Sequence, residues 1–167
     1  MIYILVLLAG SFVGYLIYLI FFWQWKKNCQ PFYNDESALI MGHRGSPTSI
    51  TENTLPSFQK AIDRGVDGLE FDVRLSKDKQ IVIFHDSSLE RLSERSEKIE
   101  DLSLSELQSV ELHGTEDQMQ GVYIPSLNDM LILLDYTKVI NIEIKSDGLF
   151  KGHEIIDPLL TFLDKHG

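Results

Sequence analysis

The chain has 167 residues, of which 44% are hydrophobic and 24% charged, and its formal net charge is −10. This is the composition of one globular domain, and its acidity argues against nucleic-acid binding, because phosphate backbones are bound by Lys and Arg. The single cysteine, Cys29, excludes a disulfide within the chain.

The first element along the chain is an uncharged apolar run from Ile2 to Trp25, closed by Lys26 and Lys27. A helix of this length can cross roughly 30 Å of hydrocarbon, with aromatic residues at both interfaces. We therefore predict a single-pass transmembrane anchor at residues 1–27 and a membrane location, with the two lysines favouring a cytoplasmic domain. A cleaved signal peptide and a buried soluble helix are the alternatives.

A polar linker follows at residues 28–37, in which Cys29 is either unmodified or palmitoylated. Beyond it, apolar strands and capped helices alternate in the pattern of an α/β fold with a mostly parallel sheet. The predicted strands are 38–42, 68–75, 81–84 and 139–145, and the predicted helices are 54–64, 103–111, 126–135 and 154–165.

Carboxylates occur on one face of each of two predicted strands. In "GLEFDVRL", Glu70 and Asp72 alternate with apolar residues, and Glu143 does the same in "VINIEIK". Adjacent carboxylates on a buried strand repel each other unless positive charge lies between them, and Mg²⁺ and Ca²⁺ prefer oxygen ligands. The pattern indicates a three-carboxylate metal site; a solvent-facing strand surface is the alternative.

Two histidines follow the ends of predicted strands. His43 ends the first strand and His85 follows "IVIF". In parallel α/β folds the carboxyl ends of strands form the active site, and two imidazoles there can act as general acid and general base. His113, His153 and His166 lie in helical or loop contexts and are assigned structural roles.

Five short motifs together resemble the glycerophosphodiester phosphodiesterase family in order and spacing, from residue 39 to about 165. They are His43-Arg44-Gly45, Glu52-Asn53-Thr54, Glu70-Phe71-Asp72, His85-Asp86 and Glu143-Ile144-Lys145. The resemblance implies a TIM (β/α)8 barrel of the phospholipase-C-like phosphodiesterase type. It also implies hydrolysis of glycerophosphodiesters to glycerol 3-phosphate and an alcohol, with Mg²⁺ or Ca²⁺.

The resemblance also assigns roles by position. Glu70, Asp72 and Glu143 become metal ligands, with His85 as a further candidate ligand. His43 and His85 become the acid–base pair. Arg44 and Lys145 become the groups that hold the phosphate oxygens, and Glu52 braces the site or touches substrate.

A TIM barrel needs eight strands and typically about 250 residues, whereas four strands are predicted in this chain. We therefore expect residues 38–167 to be the N-terminal half of the catalytic domain, as a truncated chain, or as one of two copies that pair as a homodimer. An anchored site favours a lysophospholipid substrate as an alternative. A catalytically inactive fragment and a phosphatidylinositol-cleaving phospholipase are further alternatives.

Overall fold

The computed structural model describes residues 2–21, 38–113, 121–147 and 153–166. The chain divides into two units, Met1–Ser37 and Ala38–Gly167. The predicted linker at 28–37, with Cys29, lies outside the described residues.

The first unit contains one helix, α1, at Ile2–Phe21 among its described residues. Within the ranges given above, no helix combines the length and the apolarity that crossing a bilayer requires. Residues 1 and 22–27 of the predicted anchor lie outside the described residues.

The second unit is an α/β domain in which strands and helices alternate. Its helix α2 lies within the predicted span 54–64 and begins where Thr54 accepts a hydrogen bond from the Ser57 N–H, with Pro56 in the first turn. The elements in chain order are β1 (Met41–His43), α2 (Leu55–Asp63), β2 (Gly68–Leu75), β3 (Ile81–Ile83), a 3-10 turn (Ile99–Asp101), α3 (Leu104–Gln108), β4 (Glu111–Leu112), β5 (Val122–Tyr123), a second 3-10 turn (Asn128–Met130), α4 (Leu131–Leu134), β6 (Val139–Ile144) and α5 (His153–His166).

Strand β2 is the centre of the main sheet. It pairs in parallel with β1 through Gly68 to Glu70 and in parallel with β6 through Gly68 to Val73. Strand β3 is antiparallel to β2, with Val73 opposite Ile83. Because Val73 also faces Ile144 of β6, β3 and β6 lie on opposite edges of β2.

The main sheet contains the four predicted strands, as β1, β2, β3 and β6, but one of them runs antiparallel. The described residues contain three parallel strands, β1, β2 and β6, while β3 is the returning arm of a hairpin. The turn is closed by a hydrogen bond from the Ser76 N–H to the Gln80 carbonyl, 2.9 Å long. Five residues, Ser76 to Gln80, separate the two strands, which is an ordinary length for a hairpin connection.

Alternation along β2 separates a packed face from a polar face. Leu69, Phe71 and Val73 are fully buried in the main core, where Phe71 contacts Phe58 of α2 edge to face at a 5.8 Å centroid distance. The opposite face carries Glu70, Asp72 and Arg74. A second core, built around Phe84, Leu89, Ile99, Leu107 and Ile124, lies in the segment between β3 and β6.

Candidate active site

Three carboxylates converge on the polar side of the sheet. Asp72 of β2 lies opposite Glu143 of β6, and Glu70 precedes Asp72 by two residues on the same face. One oxygen from each of Glu70, Asp72 and Glu143 lies within 4.8 Å of the others. Asp72 and Glu70 are buried, whereas Glu143 is exposed. The arrangement can hold one metal ion through oxygen ligands.

Two cations contact the central carboxylate. Arg44 Nε lies 3.1 Å from Asp72 Oδ2, and Lys145 Nζ lies 3.0 Å from Asp72 Oδ1. Lys145 also pairs with Glu143. Among the described residues, Lys145 is the single polar partner of the buried Asp72 Oδ1. One buried carboxylate oxygen thus retains its capacity to accept a ligand.

The pKa values of the two buried carboxyl groups shift in opposite directions. Burial raises the pKa of Glu70, and the neighbouring charge of Asp72 adds to this, despite a hydrogen bond from the Arg44 N–H. Burial also acts to raise the pKa of Asp72, but the hydrogen bond from Asn53 and the charges of Lys145 and Arg44 outweigh it and lower this pKa. Asp72 is therefore already compensated, while Glu70 would be stabilised as an anion by further positive charge.

The loop after β1 holds Arg44 against this cluster. Its backbone N–H lies 3.0 Å from Glu70 Oε2 and 2.9 Å from the Glu70 carbonyl. Arg44 and Gly45 have φ of 54° and 87°. A Cβ at Gly45 would lie 2.5 Å from Ser57 Oγ and 2.7 Å from the Ser57 carbonyl carbon. Only glycine fits here, where the left-handed backbone turns tightly against α2.

His43 lies at the rim of the carboxylate cluster. Its Nε2 is 3.8 Å from Glu70 Oε2, and its side chain is 66% exposed. The structure thus brings His43, Arg44 and Lys145 to the predicted carboxylates.

His85 follows an antiparallel strand, whereas the prediction relied on the carboxyl ends of parallel strands. Strand β3 runs antiparallel to β2, so the hairpin returns the chain to Asp72, whose carbonyl accepts the Phe84 N–H at 3.0 Å. His85 Nδ1 then lies 2.6 Å from Asp86 Oδ1. Of the described residues, the cluster that could hold a metal contains Glu70, Asp72 and Glu143 and does not include His85.

Four further polar residues join the site, and the sequence motifs predict a role for none of them. Asn53 Nδ2 donates to Asp72 Oδ2 at 2.8 Å, and Asn53 Oδ1 accepts the Asp72 N–H at 3.3 Å. Arg74 Nε donates to the His85 carbonyl at 2.9 Å. Arg91 forms ion pairs with Glu52 and with Asp86, and Asp86 also contacts His85. Asn53 and Asp86 adjoin Glu52 and His85 in sequence, and Arg74 follows Asp72 by two residues on the same face of β2; these positions are the signal that could have found them.

Comparisons with known proteins agree on one family. Residues 43–160 match the glycerophosphoryl diester phosphodiesterase family. A glycerophosphodiester phosphodiesterase of Caldanaerobacter subterraneus is 34% identical over 112 residues, which cover 65% of this chain and 46% of the relative.

Solved structures give the same result. The crystal structure of the Thermotoga maritima glycerophosphodiester phosphodiesterase has a TM-score of 0.63 and 37% identity, covering 79% of this chain and 52% of that one. An Oleispira antarctica phosphodiesterase in complex with the product sn-glycerol-3-phosphate has a TM-score of 0.70 and 32% identity, covering 77% and 53%. The chain spans about half the length of these relatives.

These likenesses support the expected TIM-barrel-like α/β architecture, of which the described residues form a partial, mainly parallel sheet. The motifs that carried the resemblance lie within the matched range and close around one face of β2 and β6. The chain belongs to the glycerophosphoryl diester phosphodiesterase family.

Proposed function

We propose that the whole protein hydrolyses glycerophosphodiesters to glycerol 3-phosphate and an alcohol. The observation that carries this proposal is the cluster of Glu70, Asp72 and Glu143, flanked by Arg44 and Lys145. A phosphodiester anion needs positive charge where its non-bridging oxygens gain charge in the transition state. The complex of the Oleispira antarctica relative with sn-glycerol-3-phosphate supports the assignment of this product.

The three carboxylates fit a divalent metal, Mg²⁺ or Ca²⁺. Their oxygens are the ligand type that hard cations prefer, and buried Asp72 Oδ1 has Lys145 as its single polar partner among the described residues. Burial raises the pKa of Glu70, a cost that a neighbouring cation would offset. A bound ion would supply charge stabilisation for the phosphoryl oxygens.

Arg44 and Lys145 are proposed to hold the non-bridging phosphate oxygens. Arg44 is oriented on two sides, by Asp72 and by Glu52, whose Oε1 accepts from Arg44 Nη1 at 3.1 Å. A guanidinium held in this way presents its remaining N–H groups in a fixed fork. Glu52 accordingly has the bracing role, because it contacts Arg44 and Arg91 rather than the carboxylate cluster.

His43 and His85 are proposed to move the protons. The contact of His85 Nδ1 with Asp86 leaves its Nε2 as the nitrogen that accepts or donates a proton. His43 is exposed beside Glu70, where substrate can reach it. One imidazole would deprotonate the attacking hydroxyl, either water or the glycerol 2-OH, and the other would protonate the leaving alkoxide.

The lysophospholipid alternative follows from the predicted membrane anchor and not from the site residues. No observation of the site favours it over a glycerophosphodiester. Pairing of two copies to complete a barrel also stays a prediction.

The test is an assay of the protein with glycerophosphocholine and, separately, lysophosphatidylcholine, in the presence of Mg²⁺ or Ca²⁺. We expect glycerol 3-phosphate and choline from glycerophosphocholine, and loss of the product on chelation. Faster cleavage of lysophosphatidylcholine would replace the proposed substrate. Absence of turnover on both substrates with a folded sample would refute the activity.

A further inference from the structure

Arg91 joins two carboxylates that come from different parts of the chain. Its Nη2 lies 2.6 Å from Glu52 Oε1 and its Nε lies 2.5 Å from Asp86 Oδ2. Glu52 belongs to the loop after β1, and Asp86 follows β3. Arg91 therefore crosslinks the two loops that carry the candidate phosphate-binding and proton-transfer groups.

Each of the two carboxylates continues to a candidate site residue. Asp86 uses its other oxygen, Oδ1, to contact His85 Nδ1 at 2.6 Å. Glu52 Oε1, which Arg91 contacts, also accepts from Arg44 Nη1 at 3.1 Å. The result is a continuous chain of polar contacts from His85 to Arg44, with Arg91 at its midpoint.

Opposite charges stabilise this series of polar contacts between His85 and Arg44. Burial acts to raise the pKa of Glu52, but hydrogen bonding and the charges of Arg91 and Arg44 lower it overall. The pKa of Asp86 is lowered in the same way, by Arg91 and His85 against the effect of burial. Both carboxylates are therefore ionised near neutral pH and remain acceptors for the guanidinium.

We propose that Arg91 is a positioning residue that fixes His85 Nε2 and the Arg44 guanidinium at a set separation. This inference rests on the proposed function, because these two groups act on one phosphodiester. Arg91 contacts one oxygen of Asp86 while His85 contacts the other, so Arg91 sets the rotation of the carboxylate that orients the imidazole. By holding Glu52 it also sets the plane in which Arg44 lies.

The role needs an arginine. A guanidinium presents N–H groups on two edges and can bridge two carboxylates at fixed angles, whereas an ammonium is a compact point charge. Lysine at position 91 would keep the charge but not the bridge. We therefore expect Arg91→Lys to recover only part of what Arg91→Gln loses.

The matched control is Arg95, four residues further on. Arg95 pairs with Glu97 at the surface through Nη2 and Glu97 Oε1, 2.6 Å apart. Arg95→Gln makes the same change in charge and removes one exposed ion pair, which is worth little. It reports the effect of altered charge without altering the contacts of Asp86 or Glu52.

The experiment measures kcat and KM with glycerophosphocholine for the parent protein, Arg91→Gln, Arg91→Lys and Arg95→Gln. We expect Arg91→Gln to lower kcat by roughly 10- to 100-fold, the usual effect of losing a partner that orients a functional histidine. KM should change much less, and Arg95→Gln should match the parent. Equal kcat for Arg91→Gln and Arg95→Gln, with an active parent, would overturn the inference.

A second measurement separates this inference from the proposed function. Nitrogen-15 NMR of the His85 ring reports which nitrogen carries the proton, whether or not the parent has activity. We expect the Nδ1–H tautomer in the parent and a mixture of tautomers in Arg91→Gln, or in Arg91→Lys should the glutamine variant fail to fold. An unchanged tautomer in the folded variant overturns the role of Arg91, while an inactive parent refutes only the activity.

Discussion

Asp72 and Glu143 lie directly opposite each other on the parallel strands β2 and β6. Two carboxylates so close repel each other unless positive charge compensates them, and Lys145 contacts both. Glu70, on the same face of β2, completes the cluster. The register of two adjacent strands therefore builds the candidate metal site.

Neutralising Asp72 or Glu70 should remove metal binding. Asp72→Asn and Glu70→Gln keep the shape of the side chain but remove a charged oxygen ligand. We expect each to weaken Mg²⁺ and Ca²⁺ binding by at least about tenfold, measured by titration calorimetry, because hard cations bind ionised carboxylates.

The control for these variants is Glu97→Gln, which removes one exposed carboxylate that pairs with Arg95. It should bind metal as the parent does. Equal metal affinity in Asp72→Asn, Glu70→Gln and Glu97→Gln would contradict a metal site on β2 and β6.

Removing either candidate proton-transfer group should stop turnover. His43→Ala and His85→Ala are each expected to lower kcat by roughly 10²- to 10⁴-fold, the range for general acid–base groups. His43→Ala should retain metal binding, because the three carboxylates stay in place.

His113→Ala is the matched control for the two histidine variants. His113 is exposed, and its Nε2 contacts Glu94 at 3.0 Å. This variant should keep the parent rate. Near-parent rates in both His43→Ala and His85→Ala would exclude the two-histidine mechanism.

The loop that carries His43 and Arg44 should depend on Gly45. Gly45→Ala puts a Cβ in contact with the Ser57 backbone at a φ of 87°, whereas Gly65 has a φ of 79° and open space around it. Both substitutions pay roughly 1–2 kcal/mol for a left-handed backbone. Only Gly45→Ala adds a backbone clash, so we expect it to lower the free energy of unfolding further and to lower kcat.

Urea denaturation measures the free energy of unfolding of the Gly45 and Gly65 variants. Gly65→Ala should retain the parent kcat, since it changes neither His43 nor Arg44. Equal stability losses in the two variants would show that the loop can move away from α2.

The sequence was sufficient to predict the carboxylate cluster but not the residues that surround it. Alternation with a period of two put Glu70 and Asp72 on one face, and parallel pairing of two apolar strands brought Glu143 to it. Helix α2 was predictable because the cap at Thr54 and the proline at position 56 are local signals. The alternation and the helix cap depend on neighbouring residues, and one sequence contains them.

The remaining features depend on long-range pairing that no local pattern encodes. The apolar run of β3 fits a parallel or an antiparallel strand equally well, and only pairing with β2 decides. Strands β4 and β5 have two residues each, too few for a period. Arg91 meets Glu52 across 39 residues, so its exposed, charged neighbourhood resembles an ordinary surface.

The opposite end of the parallel strands offers a test of stability without a change to the site. Asp67, just before β2, accepts the Ile40 N–H at 3.0 Å and pairs with Lys138 Nζ at 2.8 Å. It thereby joins the segments that enter β1, β2 and β6. The hydrogen bond from Ile40, then that from Lys138, lower the pKa of Asp67 below its ordinary value of 3.8.

A lowered pKa in the folded state means that the stabilisation by Asp67 is present above pH 3.8 and is lost as the pH falls through the folded value. Asp67→Asn should therefore lower the melting temperature at neutral pH, and this difference from the parent should shrink in acid. Thermal melts across the pH range measure it, with Asp135→Asn, at an exposed position, as control. A pH-independent difference would show that packing, not charge, joins the strand ends. Unchanged metal affinity in Asp67→Asn would separate this scaffold from the carboxylate cluster of β2 and β6.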